Sequence, residues 1–199
     1  PITGAMKTLV TGATGFLGSH VARELVERGE DVRVLARASS DVRALEGLRA
    51  ERVTGDLRDI ASLERALAGV TRIYHVAADY RLWARDPREI YESNVTGTRN
   101  LLDAARRAGV EKFVYTSTVA TIAVPRKGEL PNEATQSSVQ EMIGHYKRSK
   151  FMAEECALRA AEAGLPVVIV NPTTPVGRGD WTPTPTGKII VDFMNGRMP

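Results

Sequence analysis

The chain has 199 residues, 43% hydrophobic and 26% charged, with a net charge of +3. That balance suits one globular domain able to bury a core. Its apolar runs are too short to span a membrane and its Lys and Arg residues are scattered, so neither a membrane span nor nucleic-acid binding is implied. A single cysteine, Cys156, excludes an internal disulfide and points to a reducing, cytoplasmic location; a buried thiol on a helix is its expected state. Pro1–Ala5 reads as an expression remnant ahead of a native Met6, with no signal peptide.

Lys7–Thr11 is a short apolar strand running into Thr11-Gly12-Ala13-Thr14-Gly15-Phe16-Leu17-Gly18. Leu17, Val21 and Leu25 then recur at helical spacing up to Gly29, a C-terminal stop. Strand, glycine turn and helix form the context in which a dinucleotide's pyrophosphate binds. Gly12 permits the tight turn, Gly15 lets the backbone approach the phosphates, and Gly18 lets helix and strand pack closely. The phosphates would meet free N–H groups at the helix N-terminus.

Val32–Ala36 reads as the second strand. An acid at its end would bond the ribose 2′-hydroxyl of NAD, but Arg37 stands there, followed by Ala38, Ser39 and Ser40. A guanidinium beside hydroxyls suits a 2′-phosphate, which favours NADP(H) and leaves NAD(H) possible. The other reading of Arg37 is a solvated loop residue.

Asp41–Leu48 predicts a short helix and Arg52–Thr54 a third strand, followed by Gly55-Asp56-Leu57. Ile60, Leu63 and Leu67 give a helix ending at Gly69. Arg72–Val76 is the fourth strand, leading to Ala77 and Ala78, whose small side chains would let a flat cofactor lie on the strand end. His75 reads as a packed histidine, and no cluster supports a metal. The loop Asp79–Arg88 carries Tyr80 and Trp83, which either line a substrate pocket or cover the core. Pro87 at the first helical position would begin a long helix to about Ala108, with Asn94 and Gly97 as poor helix formers in its middle.

Lys112–Thr116 is the fifth strand and runs into Ser117 and Thr118. Gly128–Ser138 reads as loop, Pro166–Val170 as the sixth strand, Thr182–Gly187 as a turn and Lys188–Asn195 as a short helix. Six strands alternating with helices predict an α/β, Rossmann-type doubly wound parallel sheet in the order 3-2-1-4-5-6.

Between the fifth and sixth strands a helix carries Tyr146 and Lys150, four apart and so on one face. An ammonium beside a phenol favours the phenolate and would lower its pKa from about 10. A tyrosine tuned in this way can exchange a proton with an alcohol or ketone.

Thr11–Gly18, Gly55-Asp56-Leu57, His75–Ala78, Asn94–Thr98, Tyr146 with Lys150, and Pro172 together resemble the extended short-chain dehydrogenase/reductases, the NAD-dependent epimerase/dehydratase group. Asp79–Pro87, His145–Phe151, Val170–Gly177 and Pro183–Pro199 are similar to the hopanoid-associated sugar epimerase family, itself similar to the dihydroflavonol 4-reductases. The resemblance implies that Tyr146 is the general acid/base, that Lys150 bonds the nicotinamide ribose and lowers the Tyr146 pKa, and that Thr118 fills the usual serine position, with Ser117 as the fallback. It implies cofactor contacts from Gly12, Thr14, Gly15, Phe16, Leu17, Ala77, Ala78 and Thr116, an adenine contact from Asp56 and Leu57, and a carboxamide contact from Pro172 and Thr173. It also implies hydride exchange with a carbinol or ketone carbon of a sugar-type substrate. An NADPH-dependent carbonyl reductase and a non-catalytic dinucleotide sensor are the alternatives. Residues 6–180 would form the dinucleotide-binding domain and 181–199 the start of a substrate lobe. A homodimer would pair the helices of about Arg88–Ala108 and Gly144–Ala163, with Ala157, Leu158, Ala160 and Ala161 as a flat face.

Overall fold

The computed structural model describes residues 6–123, 128, 130–135 and 137–198; Pro1–Ala5 lies outside them. Its centre is a six-stranded sheet in the order β3–β2–β1–β4–β5–β6, all pairs parallel. The strands are β1 Lys7–Thr11, β2 Asp31–Ala36, β3 Glu51–Thr54, β4 Val70–His75, β5 Lys112–Thr116 and β6 Val167–Val170. The expected doubly wound order is therefore the observed one.

Successive strand residues face opposite sides of a sheet. Leu9, Ile73, Phe113 and Tyr115 point to one face, where helices α2 Ile60–Leu67, α4 Gly97–Arg107 and α5 His145–Glu162 supply Leu63, Leu101, Ala153 and Ala157. Val10, Val32 and Val34 point to the other, covered by Ala22 and Leu25 of α1 Phe16–Glu27. Beyond α1 this second face thins out: Val168 and Val170 of β6 are exposed, and α6 Pro185–Met194 has no buried residue.

The structure alters three of the predicted helices. The predicted helix over Asp41–Leu48 is only a single 3-10 turn, Arg43–Leu45, because the Asp41 carboxylate draws in the Arg43 N–H at 3.0 Å and Gly47 turns to φ +70°. The long helix breaks into α3 Arg88–Tyr91, a π turn Glu92–Thr96, and α4, with Pro87 one place ahead of the first helical residue. The π turn aims Asn94 at the backbone of the neighbouring loop, and Gly97 packs so tightly that a Cβ there would lie 2.8 Å from Leu57 Cβ. The last helix begins at Pro185 rather than Lys188, because the Thr184 hydroxyl caps it by accepting the Gly187 N–H. The sheet strands shift by no more than two residues.

Candidate active site

Ligands of open parallel sheets bind beyond the carboxyl ends of the strands, where the order reverses. Here that point lies between β1 and β4, and a cleft of about 900 Å³ opens there. Its floor is the glycine turn. Gly12 adopts φ +74°, and a Cβ on it would lie 2.5 Å from the Ala77 nitrogen, so only glycine fits between the first and fourth strand ends. A Cβ on Gly18 would collide with the Gly12 carbonyl, which is why α1 can start so close to β1. Gly15 caps α1 without a side-chain hydrogen bond, and the first turn holds no acid. Free N–H groups therefore face the cleft, the arrangement an anionic pyrophosphate requires. These observations show that the glycine turn fits a dinucleotide.

One end of the cleft is basic. Arg37, Arg43 and Arg58 line it, with Ser40 and Asp41. Arg58 grips the Asp56 carboxylate through Nε at 2.9 Å and Nη2 at 2.7 Å. That contact, offset by partial burial, holds the Asp56 pKa down at about 2. The Arg37 guanidinium has no hydrogen bond or ion pair within the described residues and stands exposed, its charge available to a ligand.

At the other end Thr118, Tyr146 and Lys150 line the same cleft, with Ser117 beside them. Lys150 is only 2% exposed. Its ammonium donates to Tyr115 Oη at 2.9 Å and to the Thr116 carbonyl at 2.8 Å. Burial lowers its pKa to about 7, with the Glu154 carboxylate opposing. The Tyr146 pKa is raised, not lowered as the spacing alone predicts: burial dominates, and the Thr118 hydroxyl is the smaller, opposing influence. The helical spacing puts the two side chains on one face, but the lysine turns toward β5, where two oxygens meet it.

Three further groups hold this end in place. Glu154, one turn beyond Lys150, accepts from Thr121 Oγ1 at 2.8 Å and Asn171 Nδ2 at 3.0 Å. Asn171 also donates to the Thr118 carbonyl at 3.1 Å. The network ties the ends of β5 and β6 to α5, and so positions Thr118 opposite Tyr146.

Gly12, Thr14, Gly15, Phe16, Leu17, Arg37, Asp56, Leu57, Ala77, Ala78, Thr116, Pro172 and Thr173, all expected at a cofactor, line this one cleft, as does Tyr80. Trp83 does not: it is 78% exposed and outside the lining, a correction to the expected pocket. Trp181 and Leu82 take that place. Sequence reading missed them, along with Arg58, Tyr115, Glu154 and Asn171. A Y-x-x-x-K-x-x-x-E spacing, which puts Glu154 on the face of Tyr146 and Lys150, was the available signal for Glu154.

A model of the NAD dependent epimerase/dehydratase family matches residues 8–195. A Synechocystis protein with a provisional dihydroflavonol 4-reductase name is 49% identical over 190 residues, 96% of this chain and 55% of that one. Sterol demethylase protein B of Methylococcus capsulatus is 46% identical over 193 residues, 97% of this chain and 58% of that one. The crystal structure of gox2253 is similar with a TM-score of 0.93 and 51% identity, covering 98% of this chain and 59% of that chain. The chain thus spans little more than half the length of the proteins it matches.

Proposed function

The chain belongs to the NAD-dependent epimerase/dehydratase family, and from that premise we propose an oxidoreductase that exchanges hydride between NADP(H) and a carbinol or ketone carbon, with Thr118, Tyr146 and Lys150 as its catalytic set. The observation that carries this reading is that all three side chains line the same cleft as the glycine turn and Arg37. A bound nicotinamide cofactor supplies or accepts the hydride. Thr118 holds the substrate oxygen by its hydroxyl. Tyr146 gives that oxygen a proton in reduction and takes one in oxidation, and its raised pKa keeps the phenol protonated and ready to donate. Lys150 spends two of its three N–H bonds on Tyr115 and Thr116, which leaves one for a ribose hydroxyl. Its charge lowers the cost of a phenolate at Tyr146.

We read the substrate as an apolar, ring-bearing alcohol or ketone in place of the sugar type. Tyr80, Leu82, Trp181, Pro175 and Pro185 line the cleft, and Arg81 in that stretch is already bridged to Asp79 and Glu89. Among the described residues that line this stretch, the one cation is therefore already neutralised, which disfavours the charged diphosphate of a sugar nucleotide. The names of the two relatives at 46–49% identity, a sterol demethylase protein and a dihydroflavonol reductase, support an apolar class. Residues 181–199 fit the start of a substrate lobe, because α6 leaves its apolar side chains uncovered. A cytoplasmic site fits the single free Cys156. The test is to incubate the protein with NADPH and a panel of cyclic ketones and nucleotide sugars. Stoichiometric NADPH consumption with a cyclic ketone is expected; conversion of a nucleotide sugar with NADPH unconsumed would overturn the reading.

A further inference from the structure

Lys150 carries its amine into the protein interior. Around it stand His75 on β4, Tyr115 on β5, and Tyr146 and Glu154 on α5. Only Tyr115 Oη and the Thr116 carbonyl touch the ammonium among the described residues, and the Tyr115 ring centroid is 4.5 Å away. A buried cation with one acceptor in place of two would be far less stable. Any strand-end residue offers the carbonyl; the hydroxyl is specific to tyrosine. Tyr115 is itself 0% exposed and fully enclosed in the core, so its hydroxyl was not placed there to meet solvent. Beside it lies Ser117 Oγ, a buried hydroxyl with no hydrogen bond of its own among the described residues.

We infer that Tyr115 is a positioning residue for Lys150: its buried hydroxyl is the acceptor that seats the ammonium at the strand end, aimed at the cleft. The inference rests on the reading that Lys150 holds the cofactor ribose. It adds that the charge state and aim of Lys150 are set from β5, thirty-five residues earlier in the chain, rather than by Tyr146 on its own helix. Tyr115 remains a neutral phenol, because burial pushes its pKa well up. Removing its oxygen withdraws support from the charged lysine and lowers the pH at which that charge is lost, with Glu154 the remaining group that favours it. His75 cannot replace the missing acceptor, because Thr11 Oγ1 and Thr98 Oγ1 already occupy both its ring nitrogens, and Tyr146 makes no hydrogen bond to the ammonium among the described residues.

The experiment is Tyr115→Phe, which keeps the ring and removes one oxygen. The Lys150 side chain is titrated in the cofactor-free chain by ¹³Cε NMR, its signal identified by its loss in Lys150→Met. The Lys150 midpoint should fall by about one pH unit, a tenfold change in the protonation equilibrium. NADPH affinity, measured by fluorescence titration, should begin its alkaline decline at correspondingly lower pH, while thermal melting stays cooperative. An unmoved Lys150 midpoint in a folded Tyr115→Phe protein overturns the inference. Should Lys150→Met bind NADPH as tightly as wild type, the functional reading of Lys150 fails while the midpoint shift still decides the role of Tyr115. If Tyr115→Phe does not fold, fluorotyrosine in place of tyrosine provides the second test: its phenol oxygen is a weaker acceptor on a nearly unchanged ring, so a smaller fall of the Lys150 midpoint is expected, and no shift counts against the proposal.

Discussion

Asn94 holds both backbone polar atoms of Asp79. Its Oδ1 accepts the Asp79 N–H at 2.7 Å, and its Nδ2 donates to the Asp79 carbonyl at 2.9 Å and to Ser149 Oγ at 2.9 Å. One buried side chain thus clamps the loop after β4, which carries Ala77, Ala78 and Tyr80, to the helix of Tyr146 and Lys150. The π turn is what gives Asn94 this aim. Asn94→Ala leaves two backbone groups unpaired, at about 1–3 kcal/mol each when buried. We expect chemical denaturation to show a loss of this order and cofactor affinity to fall with it. Asn94→Ala melting and binding like wild type would remove the clamp from the account.

Arg37 should decide between the two nicotinamide cofactors. Arg37→Asp should weaken NADPH and improve NADH, since a charge-assisted contact is worth about 1.5–3 kcal/mol, or roughly ten- to hundredfold in affinity. Titrations of both cofactors measure it. Equal affinities of the wild-type chain for NADH and NADPH would cancel the assignment.

Tyr146→Phe should leave cofactor affinity nearly unchanged and reduce turnover by about 10²–10⁴-fold, the range for general acid–base catalysis. Thr118→Val should do the same to a lesser degree, because it holds the oxygen without moving its proton. Rates at saturating cofactor separate chemistry from binding. Wild-type turnover in Tyr146→Phe would show that Tyr146 is not the proton donor.

His75 makes stability depend on acidity. It is fully buried between Thr11 Oγ1 at 2.7 Å and Thr98 Oγ1 at 2.8 Å, and burial, aided by the charge on Lys150, lowers its pKa from 6.5 to about 3. Between those values the unfolded chain binds a proton that the folded chain refuses. This group therefore contributes stability above pH 6.5 that is lost as the pH falls toward 3. Lys150 acts with the same sign on the alkaline side: its pKa falls from 10.5 to about 7, so stability rises with pH between the two. Urea denaturation across pH 4–9 would show both slopes, and His75→Gln should flatten only the acid one. An unchanged acid slope in that variant would mean that His75 is not the group responsible.

Self-association is expected through α4 and α5, with one amendment. Ala157 is fully buried against the sheet, so the face offered to a partner is built around the exposed Leu158 and Ala161 at the edge of that buried stripe. Light scattering at micromolar concentration should give twice the chain mass, and Leu158→Glu should return it to monomer. A monomer for the unaltered chain counts against the proposal.

Sequence alone determined the sheet order and the glycine turn. The reason is that these rest on local rules. Strand and helix periods are written in the apolar residues, connections between parallel strands are right-handed, and Gly12 and Gly18 stand where no side chain fits. Tertiary structure alone decided which oxygens meet Lys150. The i, i+4 spacing offered Tyr146, but Tyr115 and the Thr116 carbonyl, 35 and 34 residues away in sequence, are what the ammonium touches. It also reversed the expected direction of the Tyr146 pKa, because desolvation depends on what packs over a side chain and not on its neighbours in the chain. Trp83 and Trp181 are equally aromatic in the sequence and both largely exposed; only the path of their loops leaves one outside the cleft and brings the other to its lining.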